Sequence, residues 1–432
     1  MVNRRIALSI YHLPFTIHPL MLRQLTQKLL LVLAGVVFGL LVIEIALRIA
    51  GFTFPVFYTT DEDRGYALKA SMAGWYRIEG ESYVRINSDG LRDVEHSKTK
   101  PPNTFRIAVI GDSYAEALQV PLENSFWIVI RKKLQECGAF NAQQIEVINF
   151  GVSGYGTAQE LITLRKHVWQ YSPDLILLAF TTNNDITDNS RPLKRTDEIP
   201  YFVFREGQLA LDDSFKSTPA FRLHNSALSR FGGWLRDNLR FVQAVGFIQR
   251  AIKTKLAERR ARKAGINTNA LPQAMMLTAG NADRGATPSG DIGTDNMVYG
   301  EPRDGVWQEA WRVTEALILQ MRDEVKSHGA KFLVVTLSNG IQVHPEPAAR
   351  AAFMQRVGAE DLFYPDKRIA ALCEHEGIAT VTLAPSLQAY AEEHKVFLHG
   401  FGREIGNGHW NELGHRVAGE MIAEKLCENL LR

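Results

Sequence analysis

The chain has 432 residues, of which 46% are hydrophobic and 22% charged, with a formal net charge of +2. That is a globular composition, long enough for one large domain with insertions or for two. The near-balanced charge argues against a nucleic-acid binder, which carries a strong basic excess, and the three scattered cysteines, Cys137, Cys373 and Cys427, offer neither metal-ligand spacing nor, at an odd count, a disulfide framework.

The first element is apolar. Leu29 to Phe52, LLLVLAGVVFGLLVIEIALRIAGF, carries no charge before Glu44. It has the length of roughly 20 residues that crosses a bilayer as a helix. Glu44 lies toward one end, where a charge costs less than at the centre. Arg4, Arg5, Arg23 and Lys28 precede the run, so the positive-inside rule makes residues 1–28 a cytoplasmic N-terminus and 29–52 a signal anchor, with the remainder outside. The expected location is therefore a membrane crossed once, in a bacterium the inner membrane, with the main domain periplasmic or otherwise extracytoplasmic. A cleaved signal peptide is the rival reading, but the run is long for one and lacks a small-x-small site after it; a buried soluble helix is the third. Met21 opens a more usual signal anchor, so residues 1–20 carry little weight.

Residues 53–104 read as an extended or β arm. Ser82 to Asn87 alternates like a strand and Ser88-Asp89-Gly90 is a turn. From residue 105 strand-like and helix-like patterns alternate. "RIAVIG", "QIEVINFG" and "PDLILLAFTT" are apolar strands, with "ENSFWIVIRKKLQE" and "TAQELITLRKHVWQY" as helices between them. Runs of this kind suit a parallel sheet covered on both faces, hence an α/β fold. Active sites of such folds lie at the carboxyl ends of the strands. Polar clusters stand there: Gly111-Asp112-Ser113, Gly151 to Gly156, and Thr181 to Asp185. Their convergence argues against reading Asp112 and Ser113 as mere helix caps. Residues 190–305 interrupt the pattern as an insertion or cap. "YFVFREGQLAL" reads as a hairpin turning at Glu206-Gly207. Residues 228–264 are a basic amphipathic stretch, either a helical cap packed on the core or an interfacial helix touching membrane or anionic polymer. "AGNADRGATPSGDIGTDN" (279–296) reads as disordered. The alternation then resumes and ends in "GNGHWNELGHR", with His409 on a loop before a helix.

At these residues the chain resembles the SGNH hydrolases, also called GDSL esterases or lipases, over residues 105–189 and roughly 306–432. "GDSY" resembles their first block, "NFGVSGYG" the second, "TNNDITDN" the third and "GHWNELGHR" the last. The resemblance implies a three-layer α/β/α sandwich with a mainly parallel sheet, occupying 105–432. It implies Ser113 as nucleophile, His409 as base, and an oxyanion hole from the backbone N–H groups of Ser113 and Gly154 with the Asn184 side chain. It implies no metal and no cofactor. The anchor and the "RINSDGLRD" arm resemble bacterial members associated with extracellular polysaccharides. A serine there would attack an ester carbonyl after the imidazole takes its proton. The absence of a G-x-S-x-G elbow at Ser113 argues against an α/β-hydrolase.

One part departs from the pattern. The family's last block carries an Asp three, or in some relatives two, residues before the His, and here Gly406 and Asn407 stand at those positions. Glu404 could serve as the acid; otherwise Asn407 or a backbone carbonyl would orient a Ser–His dyad. Asp112 is expected to be a structural hydrogen-bonder, and Asp185 and Asp188 to shape the loop after Asn184. His415, six residues after His409, is expected to pack and not to bind metal, and His344 to sit on a surface loop or line the pocket. Three functions fit: an esterase acting on O-acyl, chiefly O-acetyl, esters of glycans or small molecules; an O-acyltransferase using the same residues; and a non-catalytic glycan-binding scaffold. The expected partners are thus an ester substrate and the membrane, with no nucleic acid.

Overall fold

A computed structural model describes residues 19–141, 144–263 and 294–428. The expected cytoplasmic N-terminus up to residue 18, and the Gly/Asp-rich stretch up to residue 293, lie outside the described residues. In chain order, α1 (Pro19–Ile49) is followed by two antiparallel hairpins, β1 (Tyr58–Asp61) with β2 (Gly65–Leu68) and β3 (Ala73–Tyr76) with β4 (Ser82–Arg85). Then come β5 (Thr104–Gly111), α2 (Ser113–Glu116), α3 (Phe126–Glu136), β6 (Gln144–Asn149), α4 (Thr157–Lys166), β7 (Leu175–Thr181) and α5 (Asn184–Asp188). The insertion holds α6 (Arg191–Lys194), β8 (Tyr201–Arg205), β9 (Gln208–Asp212), α7 (Pro219–His224), α8 (Ala227–Asn238) and α9 (Arg240–Lys263). The chain resumes with α10 (Gly305–Ser327), β10 (Lys331–Leu337), α11 (Pro347–Val357), α12 (Tyr364–His375), β11 (Ala379–Thr382), α13 (Ala384–His394) and α14 (Glu412–Cys427).

One five-stranded sheet runs β11-β10-β7-β5-β6, and all its pairings are parallel. Its strands are Val, Ile, Leu and Phe-rich because both faces are covered. Ala108, Ile110, Ile176, Leu178 and Val334 pack on one face against Leu161 of α4, Trp311 and Leu317 of α10, and Ile369 of α12. Ile107, Val109, Leu175, Leu177 and Val335 pack on the other against Trp127 of α3, Leu387 of α13 and Ile422 of α14. This is the expected α/β/α sandwich. Because the strands are parallel, β5, β6 and β7 deliver Asp112-Ser113, Gly151 to Gly156 and Thr182 to Asn184 to one edge of the sheet.

The arm is more than a spacer. Phe57, Leu68, Val84 and Ile86 form a third small core with Leu118, Val152 and Tyr155 of the main domain. Arg92 Nη2 donates to the Val120 carbonyl at 3.0 Å, and the Asp93 carboxylate accepts the Asn149 N–H at 2.9 Å. In the insertion, β8 and β9 turn at Glu206-Gly207 as expected, both residues at positive φ, and Phe202 joins the main core. The expectation that the basic stretch packs on the core fails: α8 has no buried residue, and α9 packs on α1 and α8 instead.

A second correction concerns the cysteines. Cys137, at the end of α3, is disulfide-bonded to Cys427, at the end of α14, while Cys373 is free and buried. The odd count concealed the pair because the third thiol is a core residue facing Ile369 and Trp311 in the other layer. A cross-link closing so long a loop stabilises by about 3–5 kcal/mol. Cys427→Ser should therefore lower the unfolding free energy by a few kcal/mol, read as a shift in the denaturant midpoint. Reductant should shift the wild type to the same midpoint and leave the variant unmoved.

Candidate active site

The mouth of β5 separates two roles that one short segment could have shared. Asp112 is the N-cap of α2, its Oδ1 accepting the Tyr114 N–H at 3.0 Å. Ser113 is therefore not the cap, and its Oγ donates to His409 Nε2 at 2.8 Å. The other carboxylate oxygen of Asp112 accepts from Asn184 Nδ2 at 2.8 Å, with Ser113 Oγ at 3.5 Å. Burial raises the Asp112 pKa more than these hydrogen bonds lower it. Asp112 thus joins first block to third as a fully buried acceptor, the structural part expected of it.

The second block is held by its glycine. Gly154 has φ +75°, and a Cβ there would lie 2.7 Å from the Tyr66 hydroxyl. That hydroxyl donates to the Ser153 carbonyl at 2.8 Å, so any side chain at 154 would displace the arm from the block. Lys194 Nζ donates to the Gly154 carbonyl at 3.2 Å and pairs with Asp188. The Ser153 hydroxyl and Tyr58 both donate to Glu116, whose burial pushes its pKa up to about 7 against those bonds. Asp185 Oδ2 accepts the Thr181 N–H at 2.7 Å, shaping the loop as expected.

His409 is carried by a braced loop. Its neighbour's carbonyl, Gly408 O, accepts from Tyr114 Oη at 3.2 Å and from His399 Nδ1 at 2.8 Å. Ser338 Oγ lies 3.1 Å from His399 Nε2 and accepts the Trp410 indole N–H at 2.9 Å. Donors and acceptors match along this chain when His399 is neutral with its proton on Nδ1, and burial pushes its pKa down to about 4. His399 has no motif around it, and sequence reading missed it. His415 is buried beside Phe126 and Trp410, as expected of a packing residue. His344 sits against Phe397 and bonds within its own loop, touching neither Ser113 nor His409.

The acid comes from a place the sequence did not indicate. His409 Nδ1 meets Glu79 Oε2 at 2.5 Å, and the His409 backbone N–H donates to Glu79 Oε1 at 2.7 Å. Neither Glu404 nor Asn407 holds the imidazole, which corrects both expectations and the dyad. The Glu404 carbonyl accepts the Asn407 N–H at 3.0 Å, a tight turn closed on itself, while Nδ1 faces the arm. Glu79 lies between β3 and β4, in the turn Arg77 to Glu81. The next residue, Gly80, has φ +69°, and a Cβ on it would fall 2.4 Å from the Gln119 carbonyl and 3.0 Å from the Phe401 ring. The turn is thus wedged between the segment after Ser113 and the loop before His409, with Ser82 Oγ donating to the Leu118 carbonyl at 2.6 Å. The sequence signalled only that no acid stands at 406 or 407; it left Glu404 or a dyad open, and nothing local marked Glu79.

Burial opposes charge on both partners, yet each sustains the other. The Glu79 carboxylate raises the His409 pKa above its ordinary value despite desolvation, and His409 holds Glu79 low despite the same cost.

No family model matches the chain. It is 32% identical over 81 residues to an arylesterase of Vibrio mimicus, a match covering 19% of this chain and 38% of that protein. Among solved structures it is similar to an α/β hydrolase enzyme from the metagenome of Lake Arreo, Spain, at 11% identity and TM-score 0.34, covering 76% of this chain and 96% of the other. It is also similar to a catalytic mutant of an acetylxylan esterase from Geobacillus stearothermophilus, at 10% identity and TM-score 0.35, covering 74% and 94%. The parallel sheet brings the four blocks, in their sequence order, to one edge around Ser113 and His409.

The electrostatics give a direct test. The His409 imidazole should titrate above the ordinary ~6.5 in the wild type. With Glu79→Gln, burial acts unopposed by an anion at Nδ1, and the titration should move to lower pH. NMR of the imidazole protons through pH 5–9 reads both.

Proposed function

We propose that this chain is a membrane-anchored serine esterase that cleaves O-acyl esters through an acyl-enzyme on Ser113. The observation that carries the reading is the continuous hydrogen-bonded chain Ser113 Oγ–His409 Nε2–His409 Nδ1–Glu79, at 2.8 and 2.5 Å. Glu79 fixes the tautomer with its proton on Nδ1, which leaves Nε2 free to accept the serine proton. Ser113 Oγ attacks the ester carbonyl as His409 takes that proton. Glu79 stabilises the imidazolium, which then protonates the leaving alcohol. Water attacks the acyl-enzyme by the same route and frees the acid. The intermediate's oxyanion is assigned to the N–H groups of Ser113 and Gly154 and to Asn184 Nδ2, each donor worth about 3 kcal/mol in the transition state. The Asp112 bond holds the Asn184 amide beside Ser113 while leaving it a second N–H. With an acid in place, the reason for keeping a degenerate, non-catalytic scaffold falls away.

Ser113→Ala should abolish cleavage of p-nitrophenyl acetate and labelling by a fluorophosphonate; equal labelling of the two proteins would sink the nucleophile assignment. Glu79→Gln should lower kcat by roughly 10²–10⁴-fold. Because the base acts as the neutral imidazole, the rate rises with pH through the His409 pKa. The rising limb should therefore lie above pH ~6.5 in the wild type and move down in Glu79→Gln. Glu404→Gln should leave both rate and profile near wild type.

The site is assigned to the extracytoplasmic side. Within residues 23–49 of α1 an 18-residue stretch reaches a mean hydropathy of 2.8 with almost no burial, and Arg23 and Lys28 stand at its N-terminal side. The Cys137–Cys427 disulfide favours an oxidising compartment. An alkaline phosphatase fusion at Arg432 should be active in cells, and a fluorescent protein that matures only in the cytoplasm should stay dark there. The opposite pattern would reverse the topology.

A further inference from the structure

The charge that interrupts the apolar run has a partner. Glu44, 8% exposed near the end of α1, accepts the Phe241 backbone N–H through Oε2 at 3.0 Å. It thereby satisfies an otherwise orphan donor in the first turn of α9. One turn on, Arg48 Nε bonds Glu44 at 2.7 Å and Arg48 Nη2 donates to the Asn238 carbonyl, the end of α8, at 2.7 Å. Gln243 extends the clamp by accepting the Phe54 N–H at 2.9 Å and donating to the Arg236 carbonyl at 3.0 Å. Phe247 packs edge-on against Phe52 and Phe54. The junction of α8 and α9 is therefore fixed to the last turns of α1 and the residues just after it. In a spanning helix, that level is where acyl chains meet headgroups.

What the clamp holds there is apolar and bare. On α8, Leu228, Phe231 and Trp234 recur three apart and are 77%, 57% and 57% exposed; on α9, Val245, Ile248, Ile252 and Leu256 form a second exposed stripe. A water-facing row of this kind is the mark of an interaction surface. The stretch Ala227–Lys263 carries ten Lys or Arg against two acidic residues, Asp237 and Glu258. Apolar stripe, tryptophan and basic excess together describe a helix lying in a lipid interface.

We infer that α8 and the first half of α9 dock on the anionic surface of the bilayer that α1 crosses. The apolar stripes enter the headgroup boundary and the domain is held at the membrane by two contacts. The inference rests on α1 being a span. The occupant is lipid, on two grounds: the stripe continues directly from the span, and the charge is complementary to anionic headgroups.

The native cysteines are paired or buried, so an added cysteine can be labelled selectively. The full chain is reconstituted in vesicles containing phosphatidylglycerol, with an environment-sensitive fluorophore at Leu33→Cys in α1, Phe231→Cys in α8, Ile248→Cys in α9, or Glu393→Cys, exposed on α13. Brominated acyl chains should quench the labels at 33, 231 and 248 and leave 393 unchanged. Quenching at 33 alone, with 231 and 248 bright and water-accessible, overturns the inference and keeps the anchor. Labels at 231 and 248 shielded from water but not quenched by lipid mean that protein covers the stripes, and also overturn it. No quenching at 33 overturns the anchor, and the inference with it.

Discussion

The arrangement around Ser113 depends on one buried contact, the carboxylate of Glu79 against the imidazole of His409 across 330 residues of chain. A carboxylate buried without a partner is costly, and so is an imidazolium; paired, each supports the other. Removing one partner of such a pair typically costs about 3–5 kcal/mol, because the other charge is left buried alone. The pair therefore couples the arm to the α/β/α domain by more than packing area. It also explains the detail around it: Gly80 between a carbonyl and an aromatic ring, Ser82 tied to Leu118, and a third small core under the hairpin.

Much of the fold could be read in advance, because it rests on local patterns. Strands buried on both faces announce themselves as apolar runs, and parallel topology fixes which ends share an edge. For that reason Ser113 and His409 meet as expected and Asn184 reaches Asp112, although their blocks are far apart in sequence. What escaped reading was non-local. Glu79 lies in an ordinary polar turn, and only the tertiary docking of the hairpin turns it toward His409. His399 is one of twelve histidines, and only its place under Gly408 gives it a function. The disulfide was hidden by counting, since parity cannot tell a paired cysteine from a buried one. Residues 228–264 showed their amphipathic character in sequence, but periodicity cannot say whether the apolar side meets a core, and here it does not.

The displaced acid shows what this chemistry demands of a chain. A base needs a fixed tautomer and an anion at Nδ1, and it is indifferent to which segment supplies them. Supplying the acid from the segment before the nucleophile has a structural consequence. The imidazole meets its carboxylate only because the arm lies folded back across the edge of the sheet. The loop that carries His409 is braced on its other side by Tyr114 and His399 through a single carbonyl, Gly408 O. Its position is thus set jointly by the first block and the arm.

That arm begins where α1 ends, and Phe54, between them, is bonded to Gln243 at the α8–α9 junction. The chain thus runs from the apolar helix, through a clamp of Glu44, Arg48 and Gln243, into the hairpins, and from there to the base. Lys69 of the arm adds an ion pair to Asp237 at the end of α8 at 2.6 Å. Partly buried, such a pair is less screened than a fully exposed one. The segment that holds the domain at its anchor and the segment that supplies the acid are therefore the same short stretch, Phe52 to Arg85. The two are mechanically joined: the arm whose start is bonded to the clamp carries the Glu79 carboxylate that meets His409 Nδ1. Physical continuity, with no need for a long-range pathway through the sheet, links the end of α1 to the orientation of His409 along one short stretch of chain.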